Sequence, residues 1–288
     1  MKIALGTVQF GLKYGVANAG GQVLPEQAAK ILLEARQAGI DTLDTAIAYG
    51  NSEEQLGGLD VQNWKVISKL PTLPSSVENV GDWVMQQVRG SLQRIGIQQL
   101  DGLLMHQPTD ILGPQGYAYA RALRQIRDEG LARAIGYSIY SPDELEVLCS
   151  VFAPDIVQAP YNIIDRRLAT TGWMEKLAEK GVRIHTRSVF LQGLLLMPDK
   201  SRPPWFSRWQ SLWQKWSEAC VQSGLSPLEM SLGYVLAQSA IERMVVGVDS
   251  VLQMNQIIAA TRKPGIKVFP QIESQDLELI EPSRWKLE

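Results

Sequence analysis

Four side chains that can hold or move protons stand at the ends of short apolar runs or just after them. Asp44, Lys69 and His106 each end such a run, and Tyr49 lies on the loop that follows the first. Short apolar runs bounded by polar residues predict buried strands. Proton-handling side chains at the carboxyl ends of several strands are typical of the active site of an α/β barrel.

Eight such runs alternate with amphipathic stretches that have helical periodicity. The predicted strands are Ile3–Thr7, Ile40–Thr45, Lys65–Lys69, Leu100–His106, Ala132–Ser138, Ile156–Pro160, Val182–Val189 and Met244–Gly247. The predicted helices are Pro25–Ala38, Val77–Ile95, Tyr117–Glu129, Pro142–Val151, Leu168–Lys180 and Pro227–Ser239. This alternation favours a closed (β/α)8 TIM barrel over an open sheet. No low-complexity linker divides the chain, so residues 1–288 are predicted to form a single domain.

Local signals mark where several helices begin and end. Ser141-Pro142 and Ser226-Pro227 each place a capping residue before a proline at the first helical position, with a glutamate two residues further on. Gly39, Gly130 and Gly181 each follow a helix and allow the left-handed turn into the next strand. We assign these residues structural roles only.

Composition and charge limit the classes of partner. The chain has 288 residues, of which 45% are hydrophobic, and a formal charge of -2, which gives no reason to expect nucleic acid or an anionic membrane. Cys149 and Cys220 form neither a zinc motif nor a disulfide framework. The N-terminus lacks the apolar core of a signal peptide, and no apolar run approaches the roughly 20 residues of a membrane span. We therefore expect a cytoplasmic protein without membrane partners.

Three motifs carry a family resemblance that extends from Gly6 to about Gln256. The run Asp44–Glu53 reads Asp-Thr-Ala-x-x-Tyr-Gly-x-x-Glu, Ser68-Lys69 closes the next strand, and residues 103–106 read Leu-Leu-x-His. Together, in this order, they resemble the aldo-keto reductases. The resemblance implies NADPH-dependent reduction of an aldehyde or ketone, with a small-molecule carbonyl substrate and a monomer or weak homo-oligomer.

The same resemblance assigns a role to each member of the tetrad. Tyr49 would be the general acid, because the carbonyl oxygen that gains negative charge needs a proton. A tyrosine has a pKa of about 10, and we expect the Lys69 ammonium to lower it. Asp44 would keep Lys69 charged and oriented, and His106 would donate a hydrogen bond to the substrate oxygen.

Other interpretations of these residues stay open. Taken singly, Asp44 could be a helix cap, Tyr49 a loop residue and His106 a core histidine. Lys69 could instead form a Schiff base with a carbonyl substrate, as in aldolases, if its pKa were depressed. Asp44 argues against that chemistry because it favours the ammonium form. A non-catalytic nucleotide-binding relative acting as a sensor or subunit is the rival function.

The resemblance also predicts where a dinucleotide binds. Gly6 and Thr7 would approach the nicotinamide ribose, Ser138 and Gln158 would hold the carboxamide, and the Ser188–Gly193 loop would meet the pyrophosphate. The full set of predicted cofactor-binding residues is Gly6, Thr7, Asp44, Ser138, Gln158, Arg187, Ser188, Phe190, Gln192, Gly193, Gly247, Ser250, Gln253 and Gln256.

The predicted cofactor site departs from the family pattern in several positions. Ile139 stands where an asparagine usually follows the carboxamide serine, and Gln256-Ile257 replaces a Glu-Asn pair near the adenine. Gly247 and Gln253 replace basic residues that clamp the 2′-phosphate, which leaves NADH possible beside the expected NADPH. Ser250, Gln253 or Arg262 could still contact that phosphate.

Arg187 replaces an aromatic residue that stacks on the nicotinamide in many family members. An oxidised nicotinamide ring carries positive charge, whereas the reduced ring is neutral. A guanidinium close to the ring would repel the oxidised form. The sequence therefore predicts tighter binding of reduced than of oxidised cofactor. The alternative is that Arg187 pairs with a cofactor phosphate or a neighbouring acid.

Two further features have no assigned chemistry. Trp205, Trp209, Trp213 and Trp216 recur at helical spacing, and such a stripe predicts packing on the outer layer of the barrel. A second interpretation places Trp205 or Phe206 at the substrate mouth, where aromatic faces suit ring substrates. The second histidine of the chain lies mid-strand and matches no motif, so we predict a structural role for it.

Overall fold

Eight parallel strands close into a barrel in the computed structural model, which describes residues 1–18, 20–262 and 269–287. The strands are β1 (Ile3–Gly6), β2 (Thr42–Asp44), β3 (Lys65–Leu70), β4 (Gly102–Met105), β5 (Ile135–Ser138), β6 (Ile156–Pro160), β7 (Arg183–Arg187) and β8 (Arg243–Gly247). Each strand pairs with its neighbour in the sequence, and β8 pairs with β1 in parallel to complete the barrel. The predicted (β/α)8 barrel is confirmed.

Helices connect the strands and surround the barrel. They are α1 (Val8–Gly11), α2 (Pro25–Gln37), α3 (Ser52–Gly57), α4 (Val80–Ile95), α5 (Gly116–Asp128), α6 (Glu144–Val151), α7 (Arg167–Thr170), α8 (Trp173–Glu179), α9 (Gln210–Ser223), α10 (Pro227–Leu236), α11 (Val251–Thr261) and α12 (Leu277–Ile280). Within the described ranges, no helix combines the length and the apolar character that crossing a membrane requires.

Apolar side chains fill two separate layers. Inside the barrel, Ile67, Leu104, Ala134 and Ile156 form a compact cluster, while a larger core lies between the strands and the helices. Alternation along each strand sends neighbouring side chains to these two layers in turn. His185 is fully buried in β7, with its Nε2 atom 3.8 Å from a carboxylate oxygen of Glu242.

The predicted helix boundaries are largely confirmed. Ser226 forms a complete capping box with Glu229 at the start of α10. At α6, however, the helix begins at Glu144, and its carboxylate accepts hydrogen bonds from the backbone of Tyr140 and Ser141. The glutamate thus satisfies amides of the turn that precedes the helix, which begins two residues later than predicted. The three glycines predicted to end helices have φ values of 82°, 74° and 69°.

The tryptophan stripe packs the outer layer, as the first interpretation predicts. Trp213 and Trp216 are buried, and their indole N–H groups donate to backbone carbonyls. Phe206 is buried edge-to-face against Trp285, with ring centroids 4.9 Å apart. Trp205 packs beside the same C-terminal segment, under the Arg208 and Lys286 cations. The interpretation that Trp205 or Phe206 lines the substrate mouth is therefore wrong.

Candidate active site

A buried ion pair joins the ends of β2 and β3. Lys69 Nζ donates to Asp44 Oδ1 at 2.6 Å and to the carbonyl oxygen of Thr45 at 2.8 Å, and the lysine is completely buried. Burial lowers the pKa of Lys69, but the charges and hydrogen bonds of Asp44 and Tyr49 together outweigh it, and the net pKa is raised. Lys69 is therefore an ammonium at neutral pH, which disfavours the Schiff-base interpretation.

Tyr49 and His106 lie beside this pair. The Lys69 ammonium is 5.0 Å from the centroid of the Tyr49 ring. The Tyr49 and His106 rings meet edge-to-face with centroids 5.7 Å apart. The structure thus brings all four predicted catalytic side chains together.

The protonation states differ from the sequence-based expectation in one respect. Burial raises the pKa of Tyr49, and the opposing effect of Lys69 does not cancel it, so the net pKa is raised rather than lowered. The expected lowering is wrong, because it counts the ammonium and leaves out burial. Burial, together with the charges of Lys69 and Arg187, lowers the pKa of His106 to about 4. At neutral pH the site therefore holds a protonated tyrosine and a neutral histidine.

Glu53 fixes the loop that carries Tyr49. Its buried carboxylate accepts hydrogen bonds from the hydroxyls of Ser68 (2.7 Å) and Ser91 (2.6 Å) and from the Arg94 guanidinium. These bonds tie the start of α3 to β3 and to α4. Glu53 ends the first sequence motif, but no role was predicted for it. Its position in that motif was the signal that could have identified it. A buried acid needs hydrogen-bond donors, and the two serines and Arg94 supply them.

A cleft of about 500 Å³ extends from the tetrad across the carboxyl ends of the strands. Most predicted cofactor-binding residues line it, namely Gly6, Thr7, Asp44, Gln158, Arg187, Ser188, Phe190, Gln192, Gly193, Gly247, Gln253 and Gln256. Tyr49 lines it as well. Clefts of this size at the carboxyl face of a barrel are suited to a cofactor and a small substrate.

Two of the predicted cofactor-binding residues, Ser138 and Ser250, do not line the cleft. Ser138 is buried, and its hydroxyl donates to Gln158 Oε1 at 3.4 Å. Gln158 Nε2 in turn donates to Asp44 Oδ2 at 2.6 Å, which links this pair to the ion pair. Ser250 instead caps α11, where its hydroxyl accepts from the backbone N–H of Gln253.

The loop Ser188–Gly193 has an unusual backbone. Ser188, Leu191 and Gln192 have φ values of 61°, 48° and 53°, a region in which non-glycine residues are uncommon. At Gly193 a Cβ atom would lie 2.6 Å from the Cβ of Ala17, so only glycine fits. Strained backbone of this kind clusters at ligand sites, and left-handed turns make amide concavities that suit anions. The loop could therefore hold an anion such as a pyrophosphate.

Arg187 ends β7 at the edge of the cleft. Its guanidinium donates to the carbonyl oxygen of Ile139 at 3.0 Å and to the Ser188 hydroxyl at 3.3 Å, and it lies 4.9 Å from the centroid of the Tyr140 ring. Across the described ranges, no carboxylate pairs with it. The interpretation that Arg187 pairs with a neighbouring acid is therefore wrong for the described residues.

The family model described as "Aldo/keto reductase family" matches residues 2–274. The chain belongs to the aldo-keto reductases. It is 26% identical over 272 residues to the NADH-specific methylglyoxal reductase of Escherichia coli K12, covering 80% of this chain and 81% of that protein. It is 27% identical to a probable voltage-gated potassium channel subunit beta of Oryza sativa subsp. japonica, covering 80% and 78%. A solved aldo-keto reductase of Bacillus halodurans, 20% identical, has the same fold with a TM-score of 0.73, covering 93% and 88%.

Tyr14, Asn18 and Asp249 also line the cleft of this aldo-keto reductase. None of them was among the predicted site residues. Asn18 Nδ2 donates to Asp249 Oδ1 at 3.0 Å, and Gln192 Nε2 donates to the Tyr14 hydroxyl at 3.2 Å. The segment after β1 therefore contacts both the loop after β7 and the loop after β8. Tyr14 and Asn18 belong to no motif, whereas Asp249 lies within the predicted phosphate clamp.

Proposed function

We propose that this aldo-keto reductase reduces an aldehyde or ketone to an alcohol, with Tyr49 as the general acid. The observation that carries the proposal is the Tyr49 phenol beside a buried, charged Lys69 at one end of a cleft that fits a dinucleotide. When bound, the nicotinamide supplies the hydride that reaches the carbonyl carbon. The chain itself supplies the proton and the groups that orient the oxygen.

Each tetrad residue has a physical task in this proposal. The raised pKa of Tyr49 keeps its proton available for the developing alkoxide. The ammonium of Lys69 stabilises the phenolate left behind, and Asp44 keeps that ammonium charged. His106, neutral at pH 7, can donate an N–H to the substrate oxygen without adding a positive charge. Gln158, which lines the cleft, is proposed to hold the carboxamide, and Ser138 is proposed to position Gln158 from behind.

The relatives suggest which small molecules to test first. The E. coli relative is named a methylglyoxal reductase, so methylglyoxal is the first candidate substrate. NADPH is the default of the family, and NADH is the cofactor in the name of that relative. Both dinucleotides therefore belong in the first assays.

A sensor or channel-subunit role is the second candidate, favoured by the similarity to the rice channel subunit. A protein with that role would bind a dinucleotide without turning over substrate. The complete tetrad supports the enzyme instead, since binding alone needs no buried proton donor and ammonium.

The test measures loss of nicotinamide absorbance with methylglyoxal and a panel of other aldehydes and ketones. We expect Tyr49→Phe to lower kcat/KM by about 10²–10⁴-fold, the usual contribution of a general acid. Cofactor dissociation constants should stay within about twofold of the parent, because the ring of Tyr49 is retained. Tyr117, which is 80% exposed on α5, provides the matched control Tyr117→Phe.

Three outcomes separate the candidates. Turnover that depends on the Tyr49 hydroxyl supports the reductase. Dinucleotide binding without turnover of any carbonyl supports the sensor. Full activity in Tyr49→Phe would refute the assignment of the general acid.

A further inference from the structure

Asp249 places a carboxylate at the outer end of the cleft. It lies between β8 and α11, is half-buried, and lines the cleft together with Gln253 and Gln256. Helices form the outer ring of a barrel and strand ends form its centre. The α11 side of the cleft therefore lies toward the outer ring, whereas Asp44, Lys69 and His106 stand at the ends of β2, β3 and β4. This inference rests on the proposed function, in which the reacting end of the cofactor lies beside Tyr49 and the adenosine half extends outward.

The carboxylate of Asp249 is held by uncharged groups only. Its Oδ1 atom accepts from Asn18 Nδ2 at 3.0 Å, and the backbone N–H of Asp249 donates to Gln253 Oε1 at 2.7 Å. Burial raises the pKa of Asp249, and a hydrogen bond with the Gln253 side chain offsets this rise only in part. No cation in the described part of the chain pairs with this carboxylate.

The charges around the cleft differ between its two ends. Of the described residues that line it, Asp44, Arg187 and Asp249 carry full charges. Asp44 is neutralised by Lys69, and the Arg187 guanidinium bonds the carbonyl of Ile139 beyond β5, on the side of β7 away from β8. The outer end is therefore negative as far as the described lining residues determine it.

Arg262 is too distant from Asp249 to make the outer end of the cleft positive. It is the exposed C-cap of α11, whose eleven residues separate it from Asp249 and Ser250. At 1.5 Å per residue the helix is roughly 16 Å long. Ser250 is also committed, since its hydroxyl caps the helix. Of the residues predicted to hold a 2′-phosphate, Gln253 alone lines the cleft, and it is uncharged.

NADH and NADPH differ at one group, the phosphate on the 2′-oxygen of the adenosine ribose. A carboxylate accepts hydrogen bonds from the ribose hydroxyls of NADH, whereas it repels the phosphate dianion of NADPH. We infer that Asp249 selects NADH over NADPH and is a specificity-determining residue of this enzyme. The expectation of NADPH from the family default is replaced by this proposal.

The test is calorimetric titration of NADH and of NADPH into the full chain, so the readout is binding rather than turnover. We expect the parent to bind NADH about tenfold more tightly or better, a difference of about 1.4 kcal/mol. Asp249→Asn should reduce that ratio to near one, chiefly by tightening NADPH. Gln253→Arg in the Asp249→Asn background should reverse the preference, because it adds a phosphate ligand.

Two control variants separate the effect of the Asp249 charge from that of its hydrogen bond to Asn18. Asp60→Asn removes an exposed carboxylate that precedes β3, at the opposite end of the barrel, and should leave the ratio unchanged. Asn18→Ala removes the Asn18–Asp249 hydrogen bond and keeps the charge, so it should preserve the preference for NADH even if both cofactors bind more weakly.

The outcomes also separate this inference from the proposed function. A parent that prefers NADPH, or an Asp249→Asn variant with the parental ratio, would overturn the role of Asp249 and leave the reductase standing. Loss of the preference in Asn18→Ala alone would overturn that role in the same way. A chain that binds neither dinucleotide would overturn both proposals.

Discussion

Two arginines on strand β7 stand at opposite ends of the barrel and differ in their hydrogen-bond partners. Arg183, at the start of the strand, donates to Asp101 at 2.7 Å and to Glu242 at 2.8 Å. Arg187, at the end of the same strand, bonds a carbonyl and a hydroxyl and has no carboxylate partner within the described ranges. The first guanidinium is neutralised by two carboxylates, whereas no described carboxylate neutralises the second.

The same contrast extends around each end. On the amino-terminal side Lys65 pairs with Asp41 at 2.8 Å, and Arg127 pairs with Asp155 at 3.1 Å. On the carboxyl side Asp249 lacks a basic partner in the described residues. Barrels concentrate function at the carboxyl ends of their strands and stability at the other end. An unpaired charge at the carboxyl end is therefore a better sign of a ligand contact than a charge alone.

Two buried pairs at the carboxyl end are exceptions, Arg167–Asp165 after β6 and Lys69–Asp44, and removal of the second should have the largest effect. Lys69→Met leaves Asp44 buried and uncompensated, so we expect a loss of about 3–5 kcal/mol in the free energy of unfolding. Turnover should also disappear, since the phenolate of Tyr49 loses its ammonium. Urea unfolding and the carbonyl assay measure the two effects.

Lys65 is the matched control, because it lies on the same strand with an exposed partner. Both members of the Lys65–Asp41 pair are about half exposed, and surface pairs contribute about 0–1 kcal/mol. Lys65→Met should therefore change stability by less than about 1 kcal/mol and leave turnover intact. Equal losses of unfolding free energy in Lys65→Met and Lys69→Met would show that the two ion pairs contribute equally to stability.

The second prediction compares the two arginines directly. Arg183→Met removes charged hydrogen bonds to two carboxylates and should lower the free energy of unfolding by about 2–3 kcal/mol. Arg187→Met removes hydrogen bonds to one carbonyl and one hydroxyl and a contact with Tyr140, together worth about 1–2 kcal/mol. Cofactor affinity should change in the second variant only. A larger loss of stability in Arg187→Met would contradict the assignment of that residue to ligand binding.

The sequence was sufficient for the barrel and for the tetrad. Short apolar runs at regular intervals predict parallel strands, and the end of a strand predicts where Asp44, Lys69 and His106 point. These depend on local periodicity and on the direction of the chain, which a sequence displays. That residues 1–288 constitute one domain stays a prediction.

The outer end of the cleft could not be predicted in the same way. The orientation of the Asp249 carboxylate depends on Asn18, 231 residues away in the chain. The commitment of Ser250 to a helix cap and the burial that raises the pKa of Tyr49 are also tertiary effects. Long-range hydrogen bonds and burial decide these roles, and no spacing in the sequence encodes them.

The smallest predicted effect concerns the redox state of the cofactor. The field of Arg187 already reaches the reacting groups, since it contributes to lowering the pKa of His106. An oxidised nicotinamide in the same place would also be repelled. We expect the parent to bind reduced cofactor about tenfold more tightly than oxidised, or about 1.4 kcal/mol.

Arg187→Tyr should narrow this gap by strengthening the binding of the oxidised form, as measured by titration of both forms into each variant. Arg183→Met is the control, because it removes the same charge from the same strand at the paired end and should leave the gap unchanged. Equal dissociation constants for the two forms in the parent would refute the idea. A gap that survives in Arg187→Tyr would assign the preference to other groups in the cleft, and Arg187 would then be a phosphate contact instead.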